Sequence, residues 1–196
     1  AKDGAEPPAF ITITPDHMSV VSATPTELVV FVQHDIVSFY VVSTHAPHSG
    51  HSAAYRQQWW IDIANHLRPY AAHALLLFID ANARVGSVET LFIGTHHAER
   101  EYLSGFLLRQ FCADMKIYLP STFPFTSDEG PSETWQHTSG KLSRIDYVGV
   151  SSSLSAKVGH ARQCLGFDIV LKRRDHFPVA LDVDIDTDQT HTPPLK

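Results

Sequence analysis

The sequence predicts a single domain of the α/β or α+β class, and three observations support this. The chain has 196 residues, of which 43% are hydrophobic, so it is long enough to form one substantial core. β-rich runs such as 37–44 and 75–79 alternate with segments of helical spacing. Polar residues follow these runs abruptly, which is typical of strands that leave a sheet at the edge of an active site.

The N-terminal quarter is predicted to be a series of antiparallel strands. Residues 1–9 are polar and proline-rich and predict an arm. Turn residues separate the short β-rich runs that follow, and His34-Asp35 is a plausible hairpin turn. The predicted strands are 10–14, 19–22, 27–33 and 37–44.

A β-α-β unit is predicted next. Trp59, Ile63 and Leu67 recur at helical spacing within 53–70, with Ser52 as N-cap and Pro69 as the stop. The run 75–79 is the following strand. If the two strands are parallel, His45 and Asp80, which end them, lie on the same rim of the sheet.

The C-terminal half predicts one more helix and several short strands. The helix covers 99–115, and the domain as a whole spans 10–185. The residues 186–196 are acidic and end in prolines, which predicts a disordered tail. The predicted strands are 117–119, 134–136, 145–151, 156–162 and 179–185.

Composition narrows the functional classes. A formal net charge of −6 argues against a protein that binds nucleic acid mainly through positive charge along the phosphate backbone. It does not argue against a metal-dependent enzyme, because a bound cation neutralises clustered carboxylates. The two cysteines, Cys112 and Cys164, are better explained as buried small hydrophobes than as a disulfide. No run is long enough to span a bilayer and no targeting signal is readable, so an intracellular location is only an expectation.

Three polar groups at strand ends or inside strands are candidate functional residues. Asp80 and Asn82 are two residues apart, so in extended geometry both face one ligand, whereas the alternative is an ordinary turn. Asp146 interrupts an apolar strand and needs a partner or a metal ion. Asp175-His176 follows a basic cluster, and its alternative is a surface ion-pair cluster.

Four stretches in this order resemble the endonuclease/exonuclease/phosphatase superfamily, which has the deoxyribonuclease-like fold. They are Val-Ser-Thr-His-Ala-Pro-His (42–48), Phe-Ile-Asp-Ala-Asn-Ala-Arg-Val-Gly (78–86), Thr-Trp (134–135) with Ser-Arg-Ile-Asp-Tyr-Val (143–148), and Arg-Asp-His-Phe-Pro-Val (174–179). The first two stretches are most similar to non-LTR retroelement-type members. The resemblance implies a four-layered α/β sandwich of two mixed β-sheets flanked by helices, and Mg²⁺- or Mn²⁺-dependent hydrolysis of nucleic-acid phosphodiesters.

The resemblance also implies roles for individual residues. Asp80 would orient the attacking water or protonate the leaving group, and Asn82 would donate to a phosphoryl oxygen. Asp175 would hold the imidazole of His176, which then serves as general base or phosphate contact. His45 would act as an acid.

Further roles follow from the same resemblance. Asp146 would support the site from beneath, with a merely partnered buried carboxylate as the alternative. Asp80 and Asp175 would be weak metal ligands. The expected contacts to phosphate or nucleic acid are Arg84, Arg144 and Arg174. The loop histidines His48, His51, His96 and His97 are expected to be solvated, and the residues Trp59, Trp60 and Trp135 to be core.

One departure from the family is expected to matter. The family's main metal ligands are an asparagine and a glutamate of its N-terminal portion, and neither Glu6 nor Glu27 is a clear counterpart. A later family asparagine also lacks one, Ser104 being the nearest position. The predicted fold is therefore incomplete at its N-terminus, with an exposed sheet edge. The chain is a fragment of a longer nuclease, an inactive member that serves as a structural or interaction subunit, or a chain completed by a protein partner.

Overall fold

The computed structural model describes residues 11–152, 154, 156–164 and 175–185. The predicted arm, the predicted tail and Arg174 lie outside these residues. The strands are β1 Met18–Thr24, β2 Glu27–His34, β3 Val37–His45, β4 Leu75–Asp80, β5 Ile117–Tyr118, β6 Trp135–Gln136, β7 Leu142–Ser143, β8 Asp146–Ser151, β9 Ala156–Gln163 and β10 Val179–Ile185, and the α-helices are α1 Ala53–Leu67 and α2 Leu103–Met115.

A six-stranded mixed sheet organises the described residues, in the order β1-β2-β3-β4-β8-β5. Strands β1, β2 and β3 are antiparallel, and the turn at 35–36 confirms the expected hairpin. Residues 11–14, part of the first predicted strand, form no strand. The strands β9 and β10 form a second, antiparallel sheet, and β6 pairs with β7. This mixed α/β architecture confirms the predicted fold class.

The predicted β-α-β unit is present. Strands β3 and β4 are parallel and α1 connects them. The register places His45 opposite Asp80, so the two residues lie on one rim, as expected. Strand β8 runs antiparallel to β4 and begins at Asp146, directly opposite Asp80.

The helix ends have local causes. The hydroxyl of Ser52 accepts a hydrogen bond from the Tyr55 amide at 3.2 Å and caps α1, as expected. Helix α2 begins at Leu103 rather than at 99, because the preceding backbone is bonded elsewhere. The Glu99 amide donates to the Val85 carbonyl, and the Glu101 amide donates to the Ser87 hydroxyl.

The core lies between one face of the large sheet and the two helices. On this face β3 and β4 contribute fully buried side chains, against which the helices pack. Each such side chain contributes about 1.5–3 kcal/mol through burial. Large side chains that are at most 1% exposed include Tyr40, Leu67, Leu75, Leu77 and Leu108.

The opposite face of the sheet carries no helix among the described residues. Cross-strand pairing places Val20 beside Val30, and Leu28 next to Ser43 and Phe78 on this face. Val20 is 67% exposed, Leu28 39% and Phe78 42%. The sheet therefore presents a partly uncovered apolar surface. Within the described residues, no helix is both long enough and apolar enough to cross a membrane.

Candidate active site

The rim where β3 and β4 end brings two of the expected residues together. His45 Nε2 lies 3.4 Å from Asp80 Oδ2. The His45 side chain is 61% exposed, whereas that of Asp80 is 20% exposed. The imidazole therefore faces solvent from the edge of a half-buried carboxylate.

Asn82 completes this part of the rim through a tight turn. Its backbone has φ 44°, a left-handed conformation that asparagine tolerates better than most residues. The Asn82 amide N–H donates to Asp80 Oδ1 at 3.0 Å. The side-chain Nδ2 donates to the Ala46 carbonyl at 2.9 Å and lies 3.3 Å from His45 Nε2. The Asp-x-Asn segment is thus a turn, and this turn places the carboxamide beside the histidine.

Asp146 and His176 form the other half of the site. His176 Nδ1 lies 3.1 Å from Asp146 Oδ2, and Nε2 lies 4.0 Å from Asp80 Oδ2. The imidazole therefore stands between two carboxylates. Ligand atoms of Asp80, Asp146 and His176 all lie within 4.8 Å of one another, an arrangement able to hold a metal ion.

The short strand β6 fixes both residues of this pair. The Thr134 hydroxyl accepts from the Ile145 and Asp146 amides at 3.0 and 2.9 Å. The Thr134 carbonyl accepts from the Phe177 amide at 2.7 Å, and Trp135 forms a β-bridge with His176. Thr134 belongs to one of the four stretches that resemble the superfamily, but the sequence predicts no role for it. In the structure it ties the two segments together.

The electrostatics of the site centre on Asp146. Burial raises the pKa of this carboxyl above its ordinary value, the hydrogen bond with Thr134 opposes that rise, and the nearby Asp80 adds to it. His176 acts in the opposite direction, lowering the pKa of Asp146. A cation between the two carboxylates would relieve both the burial cost and the repulsion.

A cleft of about 760 Å³ opens over these residues. Its walls combine the rim with the helix-free face of the sheet. The lining includes His45, Asp80, Asp146 and His176 together with Leu28, Phe78 and Val179. The candidate site therefore forms one end of a cleft that has both apolar and polar walls. The polar lining residues outside the site are Thr24, Thr26, Glu27, Ser43 and Thr44.

The structure assigns the carboxylate partner of His176 differently from the sequence. We expected Asp175 to hold the imidazole, but Asp146 lies beside Nδ1 instead. Consecutive side chains in an extended segment point to opposite sides, so Asp175 points away from its neighbour. Asp175 is exposed, its carbonyl accepts from the Gln136 amide, and it is outside the group of possible metal ligands.

Arg144, expected to contact phosphate, has a structural position instead. Only 2% exposed, it directs its guanidinium to the Ser121 and His96 carbonyls at 2.5 and 2.9 Å. Its backbone amide donates to Glu99 Oε1 at 2.6 Å. A buried guanidinium that is occupied by carbonyl oxygens is not available to a polynucleotide. Arg84, by contrast, is only half-buried.

Glu27, weighed as a substitute for the family glutamate, lines the same cleft but is not one of the possible metal ligands among the described residues. Its buried carboxylate faces His66 of α1, with Oε1 3.0 Å from Nδ1. Ser104 is buried in the first turn of α2 and accepts a hydrogen bond from Arg56 at 2.9 Å. Neither side chain joins the rim.

The remaining histidines and tryptophans divide by environment. Trp60 is buried in the core and Trp59 packs against it, whereas Trp135 is half-buried on β6. His48, His51 and His97 are exposed in loops, as expected, and His96 is half-buried.

Of three kinds of comparison with known proteins, one finds proteins that are similar to this chain. Neither the family models nor the curated proteins yield a match. Solved structures do match. The endonuclease domain of TRAS1, a telomere-specific non-LTR retrotransposon, is 15% identical with a TM-score of 0.60, covering 87% of this chain and 69% of that one.

Two further structures have similar coverage. The 3′ phosphatase NExo from Neisseria, bound to a product DNA hairpin, is 18% identical with a TM-score of 0.56, covering 80% of this chain and 64% of that one. The human Nocturnin catalytic domain with a bound sulfate anion is 15% identical with a TM-score of 0.53, covering 88% and 61%.

The matched structures are longer than the aligned region. This chain spans between 61% and 69% of the three proteins. Another match is an endonuclease/exonuclease/phosphatase family protein from Bacteroides thetaiotaomicron, with a TM-score of 0.54. The chain therefore has the endonuclease/exonuclease/phosphatase fold.

Proposed function

We propose that this chain is a metal-dependent phosphodiesterase that hydrolyses nucleic-acid phosphodiester bonds. The observation that carries the proposal is the convergence of Asp80, Asp146 and His176 from three separated segments at one end of an open cleft. Convergent titratable groups in a cleft are the usual arrangement of a hydrolytic site. The retrotransposon endonuclease domain and the DNA-bound Neisseria phosphatase share the fold, which supports nucleic acid as the substrate class.

The donor set fits a divalent cation. Asp80 and Asp146 offer carboxylate oxygens of the kind that Mg²⁺ and Mn²⁺ prefer, and His176 lies next to them with a ring nitrogen within 4.8 Å of both. The raised pKa of Asp146 marks a carboxylate whose charge is under-compensated in the protein alone. When bound, the metal would neutralise charge on the phosphoryl oxygens.

His176 is the proposed general base or phosphate contact. With Nδ1–H donating to Asp146 at 3.1 Å, the imidazole has a fixed orientation and its Nε2 lone pair is left free. Nε2 lies on the Asp80 side, so a water between them can pass its proton to the ring. Asp80 orients that water.

His45 and Asn82 are proposed to serve the leaving oxygen and the phosphoryl group. The exposed imidazole of His45 can donate a proton to a leaving oxygen, and its Nε2 lies beside both Asp80 and Asn82. The carboxamide of Asn82 can also donate to a phosphoryl oxygen from the same position. The histidines at the two sides of Asp80 thus have opposite proposed proton-transfer roles.

A nicking assay on supercoiled plasmid tests the proposal. The reactions contain Mg²⁺, Mn²⁺ or EDTA, with wild type, His176→Ala and His34→Ala. His34 is a matched control because it ends β2 opposite Val37, at the other end of β3 from His45. We expect metal-dependent nicking that His176→Ala lowers by about 10²–10⁴-fold and that His34→Ala retains. Equal cleavage by all variants, with or without EDTA, would contradict the proposal.

A second candidate function is an inactive structural or interaction subunit with a protein partner. The exposed apolar side chains Val20, Leu28 and Phe78 on the helix-free face favour it, because uncovered apolar sheet surface is typical of an interface. Size-exclusion chromatography and thermal melting distinguish the two. A monodisperse monomer with a cooperative melt would count against an obligate partner.

A further inference from the structure

Two arginines approach one exposed aromatic ring, and one of them, Arg84, follows Asn82 of the candidate active site by two residues. The guanidinium carbons of Arg84 and Arg100 are each 5.3 Å from the centroid of the Tyr102 ring. This distance is within the range of a cation–π contact. Tyr102 is 55% exposed and Arg100 is exposed, so the cluster faces solvent.

The positive charges of this cluster take no part in ion pairs among the described residues. Among the described residues, neither Arg84 nor Arg100 has a carboxylate within ion-pair distance. Arg109, by contrast, is paired with Glu101 at 3.1 Å, and Arg144 is buried against carbonyls. Two guanidinium groups that share one ring repel each other, and an anion between them would relieve this repulsion.

The backbone beneath the cluster is fixed. A Cβ atom at Gly105 would lie 2.1 Å from the Arg84 carbonyl oxygen, so the first turn of α2 packs directly on the Arg84 backbone. This close approach requires glycine at that position. It also holds Tyr102, at the N-terminal end of α2, beside Arg84. The cluster is therefore preorganised.

Its position relates it to the scissile bond. Arg84 follows Asn82 by two residues, which limits the separation of their Cα atoms to about 7 Å. A polynucleotide strand with a phosphate at the rim would therefore pass within reach of the Arg84 side chain.

We propose that Arg84, Tyr102 and Arg100 bind the sugar-phosphate backbone of the nucleic-acid strand that flanks the cleaved bond. The arginines contact phosphate oxygens, and the Tyr102 ring offers a face for a sugar or base. This inference rests on the proposed function for the identity of its ligand. It also reconciles a chain of net charge −6 with nucleic-acid binding, because the needed positive charge is local.

The test compares Arg100→Gln with Arg68→Gln. Arg68 is a matched control because it follows the last residue of the 15-residue helix α1, about 20 Å along the helix from the rim. The measured quantity is the affinity for a fluorescein-labelled DNA duplex and for the labelled single strand, by fluorescence anisotropy in EDTA. Salt varies from about 50 to about 200 mM KCl.

We expect Arg100→Gln to weaken binding severalfold and to lower the slope of log affinity against log salt by about 1. Tyr102→Ala should weaken affinity with a smaller change of slope, because the ring carries no charge. Arg68→Gln should behave as wild type. Binding curves and slopes that are the same for Arg100→Gln and Arg68→Gln would overturn the inference.

The outcome is separable from that of the proposed function. Loss of binding in Arg100→Gln together with no nicking by wild type would support the strand-binding surface and contradict the hydrolase. Nicking by wild type together with unaltered binding in Arg100→Gln would support the hydrolase and contradict the strand-binding surface.

Discussion

Two histidine–carboxylate pairs of almost the same geometry occupy different places in this fold. Glu27 and His66 approach to 3.0 Å, and Asp146 and His176 to 3.1 Å. In both pairs burial is the main reason that the pKa of the carboxyl is raised. The histidine side chains are also similarly exposed, at 41% and 42%.

The difference lies in what stands next to each pair. Asp146–His176 has a second carboxylate, Asp80, and a second histidine, His45, on the same rim. Glu27–His66 joins a strand to a helix. Burial, then Tyr40 and then Glu27 raise the pKa of the neighbouring Tyr70. We infer that the Asp146–His176 pair takes part in catalysis and that the Glu27–His66 pair stabilises the fold. A pair becomes a candidate site through its neighbours, not through its own geometry.

The largest expected effect on stability comes from His66→Ala. The change leaves the Glu27 carboxylate buried without a partner, which costs 3–5 kcal/mol when both groups are fully buried. Because His66 is partly exposed, we expect a loss of about 1–3 kcal/mol in the free energy of unfolding. Urea denaturation at pH 7 measures it.

The same experiment on the other pair sharpens the comparison. His176→Ala should lose less stability, since the Asp146 carboxylate keeps its hydrogen bond with Thr134 and is open to the cleft. His66→Ala should retain nicking activity per folded molecule. Equal losses of stability in the two variants, or loss of activity in both, would remove the distinction between a structural and a chemical pair.

Much of this comparison could be predicted from the sequence. The strand that ends at His45, the helix after it and the strand that ends at Asp80 follow from apolar periodicity, and parallel pairing then puts both residues on one rim. The resemblance added Asp146 and His176 as candidates. Their meeting with Asp80 depends on the pairing of β4 with β8 and on the bridge between Trp135 and His176, which only the structure shows.

The remainder depends on tertiary contacts that sequence patterns do not encode. Arg144 lies two residues before Asp146 yet turns into the protein, because three backbone carbonyls lie within its reach. Residues 99–102 have helical spacing, but Gly86 forms a β-bridge with Glu99 and delays the start of α2. The choice of Asp146 over Asp175 depends on the extended backbone at 175–176.

An effect of similar size is expected from Thr134→Val, which removes the acceptor that positions Asp146. Thr134 is 1% exposed, so two amides lose a buried partner, at a cost of about 1–3 kcal/mol. Thr122→Val is the matched control. It is equally buried, and its hydroxyl accepts from the Gly94 amide and donates to the Leu119 carbonyl.

Both valine variants should therefore lose similar stability in thermal or urea denaturation. Only Thr134→Val should also lower nicking, because Asp146 then no longer holds His176 in one orientation. A Thr134→Val protein as active as Thr122→Val would show that the rim does not depend on this hydroxyl.

The smallest and most diagnostic effect is expected from neutral isosteres of the two carboxylates, Asp146→Asn and Glu27→Gln. Both carboxyls have pKa values raised by folding from ordinary values of 3.8 and 4.5. The native state therefore keeps these protons to higher pH than the unfolded chain does, and stability falls as pH rises from the ordinary pKa through the raised one. At pH 7 each charge carries its full burial cost, which the amide avoids.

Each amide variant should consequently melt a few degrees above wild type at pH 7, and this advantage should vanish as the pH falls below 3.8, where both carboxyls are protonated in either state. Glu27→Gln should retain nicking, and Asp146→Asn should lose it, because an amide cannot stabilise a charged imidazole or a metal ion as a carboxylate does. If only the Asp146–His176 pair is catalytic, both amide variants gain stability at pH 7 and only Asp146→Asn loses activity. An Asp146→Asn protein that melts below wild type at pH 7 would mean that the bonds from Thr134 and His176 outweigh burial, and that this pair too is held for stability.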